Sequence, residues 1–349
     1  MDQHDAMMVF HGLVDNNGMR CAWKEDNMTV RAPRHPGHAK ACFYIDLTRP
    51  PDTMFSGLSA FPLTPLSETA LDEAAFIRLI QRLVAAGVDS ICALGSTGSY
   101  AYLTRAERAR IARLAVEHAG PVPVMVGVGA LRTREVLDLV HDAQLAGVQG
   151  VLLAPVSYQP LRSEEVYGLY EAVSGALSVP LCVYDNPRTT HFEFSDELHG
   201  RIAQLPHVAS IKIPPVSADL DVARQRVAHL RAGIPAHVSI GISGDASAAC
   251  GLLAGCEAWY SVIGGLFPEV ALAITRAALG GDAQLALHHS GQLAPLWALY
   301  AQYGSVRVVA GAAEILGLAP AGCLPLPLQP LPPGVQRHLE TVLADLALR

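Results

Sequence analysis

One lysine is set apart from the rest of the chain by its surroundings. Only three of the 25 basic residues are lysines, and Lys212 is the only one of them beyond residue 40. It stands between Ile211 and Ile213 in an apolar segment, although lysine is rarely buried without a partner. Burial among apolar groups favours the neutral amine, which can attack a ketone and form a Schiff base. The alternative is a strand-end lysine whose ammonium reaches solvent or forms a salt bridge.

A tyrosine ends the apolar run that precedes this segment. Tyr184 closes the predicted strand 181–184, and Lys212 lies in the next predicted strand, so the two side chains project from neighbouring strands. A phenol close to an imine carbon can pass protons to and from a carbinolamine or aldol hydroxyl as general acid and base. The alternative is a core tyrosine whose hydroxyl is bonded to backbone. Beside a Schiff-base lysine, we favour the catalytic interpretation.

A loop rich in small residues follows the second predicted strand. Its sequence is Gly-Ser-Thr-Gly-Ser over residues 95–99, with hydroxyls at Ser96 and Thr97. Small residues allow backbone N–H groups to approach an anion, and the hydroxyls add further donors. The loop could therefore hold a carboxylate. Such clusters are ordinary loops more often than sites, but its position at the end of a strand favours a binding role.

Eight short apolar runs alternate with amphipathic stretches from Ser56 onward, which is typical of βα units around a parallel sheet. The predicted strands are Gly57–Leu63, Ser90–Leu94, Val122–Val128, Gly150–Ala154, Leu181–Tyr184, Ala209–Ile213, His237–Ile242 and Ala258–Ile263. Intervening helices are predicted at Leu71–Ala86, Thr104–His118, Thr133–Ala146, Ser163–Ala176 and Ser195–Gln204, several with Ser or Thr caps. Eight such units favour a closed (β/α)8 barrel of the TIM type, in which strand ends at the carboxyl face carry the catalytic groups.

An open dinucleotide-binding sheet is the alternative fold. The glycines at 95–98 and 127–129 are compatible with it, but neither group completes the G-x-G-x-x-G pattern before a helix. Beyond the barrel, helices are predicted at Pro268–Leu279, Ala283–Tyr303, Val306–Leu316 and Val335–Leu348, with a proline-rich connector at 324–333. We thus expect a poorly ordered extension at 1–52, a barrel with the active site at 53–280 and a C-terminal helical appendix at 281–349.

Composition excludes several classes of partner. Hydrophobic residues make up 51% of the 349, charged residues only 16%, and the net charge is −7, so neither nucleic acid nor an anionic membrane is an expected partner. The seven cysteines include no close Cys-x-x-Cys pair, and the fourteen histidines are scattered rather than clustered as metal ligands. Because the start of the chain lacks a basic segment followed by an apolar one, we expect a cytoplasmic protein.

Together these motifs resemble the dihydrodipicolinate synthase and N-acetylneuraminate lyase family of class I aldolases and lyases, over about residues 56–348. The resemblance is carried by the loop 95–98 before Leu103-Thr104, by Gly-Val-Gly at 127–129, by Tyr-Asp-Asn-Pro at 184–187, by Ile-Lys-Ile at 211–213 and by Gly-Gly-Leu-Phe-Pro at 264–268. The tyrosine and the lysine are 28 positions apart, as the family pattern requires.

The resemblance implies roles for the residues that match these motifs. Lys212 would form the imine with pyruvate or another 2-oxo acid, and Tyr184 would shuttle protons with Thr97 as a relay. Ser96 and Thr97 would bind the carboxylate of the 2-oxo acid. The resemblance implies no metal or organic cofactor, and it implies a homotetramer or a dimer.

The variable part of the substrate, an aldehyde or sugar-acid moiety, should be bound by residues at the ends of other strands. We predict these binding contacts at the ends of strands five and seven, namely at Asp185, Asn186, Arg188, Thr190 and Gly241 to Asp245, and a further contact at Tyr260. The sequence departs from the family pattern at three positions. Ser99 stands where glutamate is common, Arg188 falls one residue before the place of a family arginine that Thr189 occupies, and Ser157 replaces a tyrosine that reaches a neighbouring subunit.

These departures leave the reaction open among aldol condensation, aldol cleavage and dehydration. They also leave open a non-catalytic barrel that binds a 2-oxo acid as a sensor or scaffold. A metal-dependent aldolase is a further alternative, but it needs clustered histidine and carboxylate ligands. An intact set of Lys212, Tyr184 and Thr97 favours the Schiff-base enzyme.

Overall fold

Eight parallel strands close into a barrel in which each strand pairs with its neighbours in chain order. The structure is a computed structural model that describes residues 54–349, so the extension predicted for residues 1–52 lies outside the described residues. The strands are β1 (Gly57–Ala60), β2 (Ser90–Ala93), β3 (Val124–Gly127), β4 (Gly150–Leu153), β5 (Leu181–Tyr184), β6 (Val208–Ile213), β7 (Ser239–Ile242) and β8 (Ala258–Ser261). Both the predicted (β/α)8 barrel and the predicted order of its strands are confirmed.

Helices surround this barrel and continue past it. Within residues 54–349 they are α1 (Glu73–Ala86), α2 (Arg105–His118), α3 (Thr133–Leu145), α4 (Ser163–Ser174), α5 (Pro187–Thr190), α6 (Asp196–Ile202), α7 (Leu220–Ala232), α8 (Ala248–Leu253), α9 (Pro268–Leu279), α10 (Ala283–Gln292), α11 (Ala294–Tyr303), α12 (Ser305–Ile315) and α13 (Pro333–Asp345). The last four form the predicted C-terminal helical appendix.

The strands are short, with four residues in most of them and six in β6. Nearly every strand residue is buried, which explains why the runs are continuously apolar instead of alternating. The register between β5 and β6 places Tyr184 directly opposite Lys212. Two residues that lie far apart in the chain are therefore fixed side by side at the carboxyl end of the barrel.

Two of the four predicted Ser/Thr caps are observed. The Thr104 side chain accepts a hydrogen bond from the backbone N–H of Glu107, whose carboxylate in turn accepts from the Thr104 N–H. Ser195 caps α6 in the same way, by accepting from the N–H of Leu198. The prediction was wrong for α3 and α4, where Thr133 and Ser163 are the first helical residues and not the caps.

The helix predicted at Ala283–Tyr303 is instead two helices, α10 and α11, with a break at Leu293. Pro295 lies in the first turn of α11, and proline has no N–H with which to continue the helical ladder of α10. The indole of Trp297 donates a hydrogen bond of 3.0 Å to the Ser290 carbonyl and so stabilises the bend. The apolar pattern crosses the break without interruption, which is why periodicity alone missed it.

Candidate active site

The amine of Lys212 is enclosed by aromatic rings at the carboxyl end of the barrel. The side chain is only 4% exposed. Its Nζ lies 3.8 Å from the ring centroid of Phe61, 4.0 Å from that of Tyr184 and 5.6 Å from that of Tyr260. The ion pairs among residues 54–349 do not include this lysine. The strand-end lysine held by a salt bridge is therefore not what the structure contains.

The Phe61 ring reaches the lysine because Gly95, at the start of the loop after β2, has no side chain. A Cβ at Gly95 would lie 2.6 Å from Cδ1 of Phe61, well inside contact distance. Phe61 also packs edge-on against Tyr260, with ring centroids 6.0 Å apart. The sequence analysis did not single out Phe61. Its position just past β1, at the same barrel end as the other site residues, is the signal that could have found it.

The phenol of Tyr184 is oriented by the residue two positions further along the chain. Asn186 donates a hydrogen bond of 2.9 Å from its side-chain amide to the Tyr184 hydroxyl oxygen. The same amide donates to the Thr189 hydroxyl at 3.0 Å, which fixes the side chain of Asn186. Because the phenol oxygen accepts from Asn186, its own proton is left to donate to another group. That arrangement suits a hydroxyl that gives and takes protons.

The loop after β2 adopts a constrained backbone. Leu94 and Ser99 flank its two glycines, and both have φ near +55°, at 57° and 55°. This left-handed conformation is uncommon for residues other than glycine, and such strain concentrates at functional sites. Within the loop Thr97 is buried and Ser96 is half-buried, and the Ser99 N–H donates to the Ser96 carbonyl at 3.1 Å. The sequence gives no signal that Leu94 adopts this left-handed conformation.

A buried arginine on α2 stabilises the carboxyl end of β3. Arg108 on α2 donates to the carbonyl oxygens of Gly127 at 2.8 Å and Gly129 at 2.9 Å, where β3 ends. Its guanidinium lies 5.2 Å from the ring centroid of Tyr100, and burial lowers the pKa of Arg108 to about 10. Burial also raises the pKa of Tyr100 to about 12, so this phenol stays protonated at ordinary pH. Both residues were missed from sequence, where Arg108 is one of many helical arginines.

Below the lysine, polar groups of the barrel interior satisfy one another. The Tyr260 hydroxyl lies 2.6 Å from the Ser210 hydroxyl, which also accepts from the Ser239 hydroxyl at 2.8 Å. The Cys182 thiol donates to the Tyr260 oxygen at 3.4 Å, and burial raises the pKa of Cys182 to about 11. A Cβ at Gly241 would lie 2.1 Å from Cε2 of Tyr260, so this glycine makes room for the ring. The substrate contacts predicted for Gly241 and Tyr260 stay predictions.

The remaining predicted contacts lie around α5. Arg188 is exposed on this short helix. The buried Thr190 hydroxyl donates to the Asn186 carbonyl at 3.0 Å and accepts from the Phe192 N–H at 3.3 Å, so it already has partners within its own turn. Asp185 is buried, and its carboxylate faces His199 on α6 instead of the lysine. The structure thus brings Asn186 to the reactive pair but turns Asp185 away from it.

A second carboxylate near the strand ends is occupied by internal bonds. Asp245, after β7, accepts from the Trp259 indole at 3.1 Å and from the backbone N–H groups of Val262 at 3.1 Å and Ile263 at 2.7 Å. Burial raises the pKa of Asp245, although these bonds favour the charged form. Asp245 therefore fixes the segment after β8 and leaves little capacity for a substrate. Among the described residues, no group of three or more His, Cys, Asp or Glu side chains is arranged to hold a metal.

A closed (β/α)8 barrel with a buried lysine on β6 and a tyrosine beside it on β5 defines the class of Schiff-base aldolases and lyases. Residues 54–346 match the dihydrodipicolinate synthetase family. The chain belongs to that family. The predicted resemblance is confirmed, and with it the prediction of an enzyme, a lyase of this family.

Individual relatives agree with this assignment. A 4-hydroxy-tetrahydrodipicolinate synthase from Phenylobacterium zucineum is 33% identical over 247 residues, which cover 70% of this chain and 82% of that protein. The crystal structure of a dihydrodipicolinate synthase from Agrobacterium tumefaciens is 45% identical, with a TM-score of 0.82 over 85% of this chain and 100% of that one. A monomeric dihydrodipicolinate synthase variant is 26% identical, with a TM-score of 0.79 over 86% and 99%. In the described part of this chain, helices are too short or too polar to cross a membrane.

Proposed function

We propose that the protein joins a 2-oxo acid of the pyruvate type to an aldehyde, or cleaves such a product, through an imine on Lys212. The observation that carries this proposal is the amine of Lys212, buried among three rings with the Tyr184 phenol across the strand pair. Ring faces hold the amine without the fixed bond that a carboxylate would make. The amine is thus left available to a ketone.

The chemistry proceeds by steps that the two side chains can serve. Nζ of Lys212 adds to C2 of the 2-oxo acid, and the carbonyl oxygen takes up two protons, one from the amine nitrogen and one from a general acid, and leaves as water, which creates the protonated imine. Loss of a proton from C3 gives an enamine, and its C3 attacks the aldehyde carbon, whose oxygen then takes up a proton. Hydrolysis of the imine releases the product and the amine, and cleavage runs the same steps in reverse. Tyr184 carries these protons with Thr97 as its relay.

The carboxylate of the 2-oxo acid is proposed to lie at the loop after β2. The hydroxyls of Ser96 and Thr97 and the backbone N–H groups of this loop are the donors. The positive φ values at Leu94 and Ser99 support this role, because a strained loop holds its donors in a fixed arrangement. The loop also stands beside Phe61, so it adjoins the lysine.

The aldehyde is proposed to enter over α5, where Asn186 and Arg188 lie. Arg188 is the first residue to test for selectivity, since an exposed guanidinium near the site can pair with an aldehyde that carries a carboxylate. This selectivity is tested by screening aldehydes with and without a carboxylate for condensation with pyruvate. If Arg188→Leu lowers kcat/KM about tenfold only for aldehydes that carry a carboxylate, Arg188 binds that carboxylate.

We further propose a homo-oligomer, as a dimer or tetramer. Three large apolar side chains are exposed after consecutive strands, namely Tyr102 at 48%, Leu131 at 64% and Tyr158 at 89%. Apolar side chains on neighbouring loops are typical of an interface. Sedimentation analysis of the wild type and of Leu131→Glu tests this, with dissociation of the variant expected. A monomeric wild type would contradict it. The cytoplasmic location stays a prediction.

The catalytic proposal is tested by hydrogen exchange at C3 of pyruvate. Incubation in D2O should replace these hydrogens at a rate that depends on enzyme concentration, and Lys212→Ala should abolish the exchange. NMR of pyruvate measures the exchange directly. A folded wild type that binds pyruvate without exchange would contradict catalysis and would favour the non-catalytic binding protein.

A further inference from the structure

The residue that follows Tyr184 points the opposite way. Side chains alternate along a strand, so Tyr184 faces the barrel interior while Asp185 faces the surrounding helices. Asp185 is 5% exposed, and its backbone N–H donates to the Lys212 carbonyl at 3.0 Å. The peptide that carries this carboxylate is therefore bonded directly to the backbone of the reactive lysine.

The partner of Asp185 in the helix layer is His199. This residue lies on α6 and is completely buried, and its ring stacks on Phe194 with centroids 4.8 Å apart and an interplanar angle of 4°. Its Nε2 lies 3.5 Å from Oδ2 of Asp185. In the described structure, Oδ1 of Asp185 and both ring nitrogens of His199 have no hydrogen-bond partner. The 3.5 Å contact between Nε2 and Oδ2 is longer than a usual hydrogen bond, and it is the polar contact that joins the two side chains.

An exposed pair on the same side of the barrel shows how unusual this one is. His229 on α7 lies 3.3 Å from Asp196 on α6, but their side chains are 73% and 37% exposed. Water can solvate both groups there, so that contact adds little stability. Asp185 and His199 are shielded from water, so the loss of either one would remove the 3.5 Å polar contact that the other has with it. Burial of two polar groups costs free energy, so the pair is expected to have a role. Its position behind the carboxyl end of β5 indicates which role that is.

We propose that Asp185 and His199 form a positioning pair that holds the segment 184–186 in place, so that Asn186 keeps the Tyr184 phenol aimed at the lysine. Asp185 stands between these two residues, and the Asn186 amide is the group that donates to the phenol oxygen at 2.9 Å. Rotation of the peptide at Asp185 would move that amide. The inference rests on the proposed role of Tyr184, and neither Asp185 nor His199 needs to touch the substrate.

The charges around the pair support this interpretation. Burial raises the pKa of Asp185 to about 7, with Glu193 and Asp196 adding to the effect and Arg226 opposing it. Burial lowers the pKa of His199 to about 4, with Arg226 adding to the effect and Asp196 opposing it. Near neutral pH the pair therefore loses or gains a proton at the carboxyl group while the imidazole stays neutral. On the α4 side, the Tyr170 hydroxyl donates to the Leu153 carbonyl at 2.6 Å and stays protonated, because burial raises its pKa.

The test compares Asp185→Asn, His199→Gln and the double variant by two readouts. Borohydride trapping of the pyruvate imine on Lys212 should stay within about twofold of wild type, because the amine is untouched. C3 exchange and kcat should fall about tenfold in each single variant, since misplacement of a proton-transfer group costs rate and not binding. KM for pyruvate should change little. The double variant should be no slower than the slower single variant, because the pair acts as one unit.

His229→Gln is the matched control, since it removes the exposed histidine contact and should leave every readout unchanged. Single variants that trap the imine and exchange C3 at the wild-type rate would overturn the positioning pair while leaving the Schiff-base proposal intact. No trapping by the wild type would instead contradict the Schiff-base proposal. If the variants do not fold, the wild-type pH profile decides. A kcat that changes through about pH 7 while trapping does not supports the pair, and parallel changes overturn it.

Discussion

The barrel interior has two layers that treat polar groups in opposite ways. In the lower layer, the hydroxyls of Tyr260, Ser210 and Ser239 bond to one another. In the upper layer, two residues further along β6, the amine of Lys212 lies against the rings of Phe61 and Tyr184. The two layers are contiguous and share the Tyr260 ring. In the lower layer the hydrogen-bonding groups are paired with one another, whereas in the upper layer the amine contacts ring faces and stays accessible to a substrate.

This difference shows how a packed barrel can hold a reactive group. A satisfied network in a low-dielectric interior is rigid, and it supports the groups above it. An amine that contacts mainly ring faces is positioned without being neutralised by a fixed charge. The lower layer should therefore matter for stability and the upper layer for chemistry, and substitutions in each can separate the two.

The largest effect should come from the lysine itself. Lys212→Ala should abolish imine trapping and turnover while the protein stays folded, although the cavity left among the rings should lower the melting temperature. Lys212→Met is the control for volume, since it keeps an unbranched chain among the rings. Both variants should be folded and inactive, as measured by circular dichroism and by C3 exchange. Turnover by either one would contradict the mechanism.

The next largest effect should come from the phenol. Tyr184→Phe keeps the ring beside the amine but removes the hydroxyl, so imine trapping should persist while turnover falls by about 10²-fold or more. The readouts are trapped mass and kcat, measured on the same preparation. Turnover at the wild-type rate would remove Tyr184 from the proton relay.

The buried pair predicts opposite pH dependences of stability. In His199→Gln the remaining Asp185 has a pKa of about 7 in the folded state against an ordinary value of 3.8, so the folded state binds the extra proton and stability should fall as pH rises from about 4 to 7. In Asp185→Asn the remaining His199 has a folded pKa of about 4 against 6.5, so stability should rise with pH from about 4 to 6.5.

Each slope should reach at most about 1.4 kcal/mol per pH unit, and the two should largely cancel in the wild type. Urea unfolding at several pH values measures all three proteins, with His229→Gln as the exposed control. Slopes of the same sign in both variants would show that burial does not set these two pKa values.

The smallest effect on activity is expected in the lower layer. Tyr260→Phe removes one hydroxyl of the network but keeps the ring, so the free energy of unfolding should fall by about 1 to 2 kcal/mol. Burial raises the pKa of Tyr260 well above its usual range, so this phenol is a poor proton shuttle, and kcat should stay within about threefold. A loss in kcat/KM of about 10²-fold would instead support the predicted substrate contact of Tyr260.

Local pattern was enough to predict most of the fold. The run Leu181–Tyr184 and the helix Pro268–Leu279 have the predicted bounds, because an apolar run and proline at a first turn are local signals. The split between α10 and α11 was not predicted, since Pro295 is tolerated in the first turn of a new helix just as well as it would disrupt an old one. The choice between one continuous helix and two helices depends on the tertiary contacts of Trp297, which the sequence does not give.

Site residues were predictable where the residue type is unusual for its neighbours in the sequence. They were not predictable where only a three-dimensional contact between distant residues marks them. A lysine between two isoleucines is visible in the sequence, and so is a tyrosine at the end of a neighbouring strand. Phe61 and Gly95 form one contact, but an aromatic residue and a glycine far apart in sequence carry no local mark of that fit. His199 was equally hidden, because only the closed barrel and α6 bring it to Asp185.

The most direct test of the central claim is intact-mass spectrometry of the wild-type protein after incubation with pyruvate and borohydride, followed by peptide mapping. The account predicts one reduced pyruvate adduct per chain, located on Lys212. A folded protein that forms no adduct, or one modified at Lys24 or Lys40 instead, would contradict the assignment of Lys212 as the Schiff-base residue.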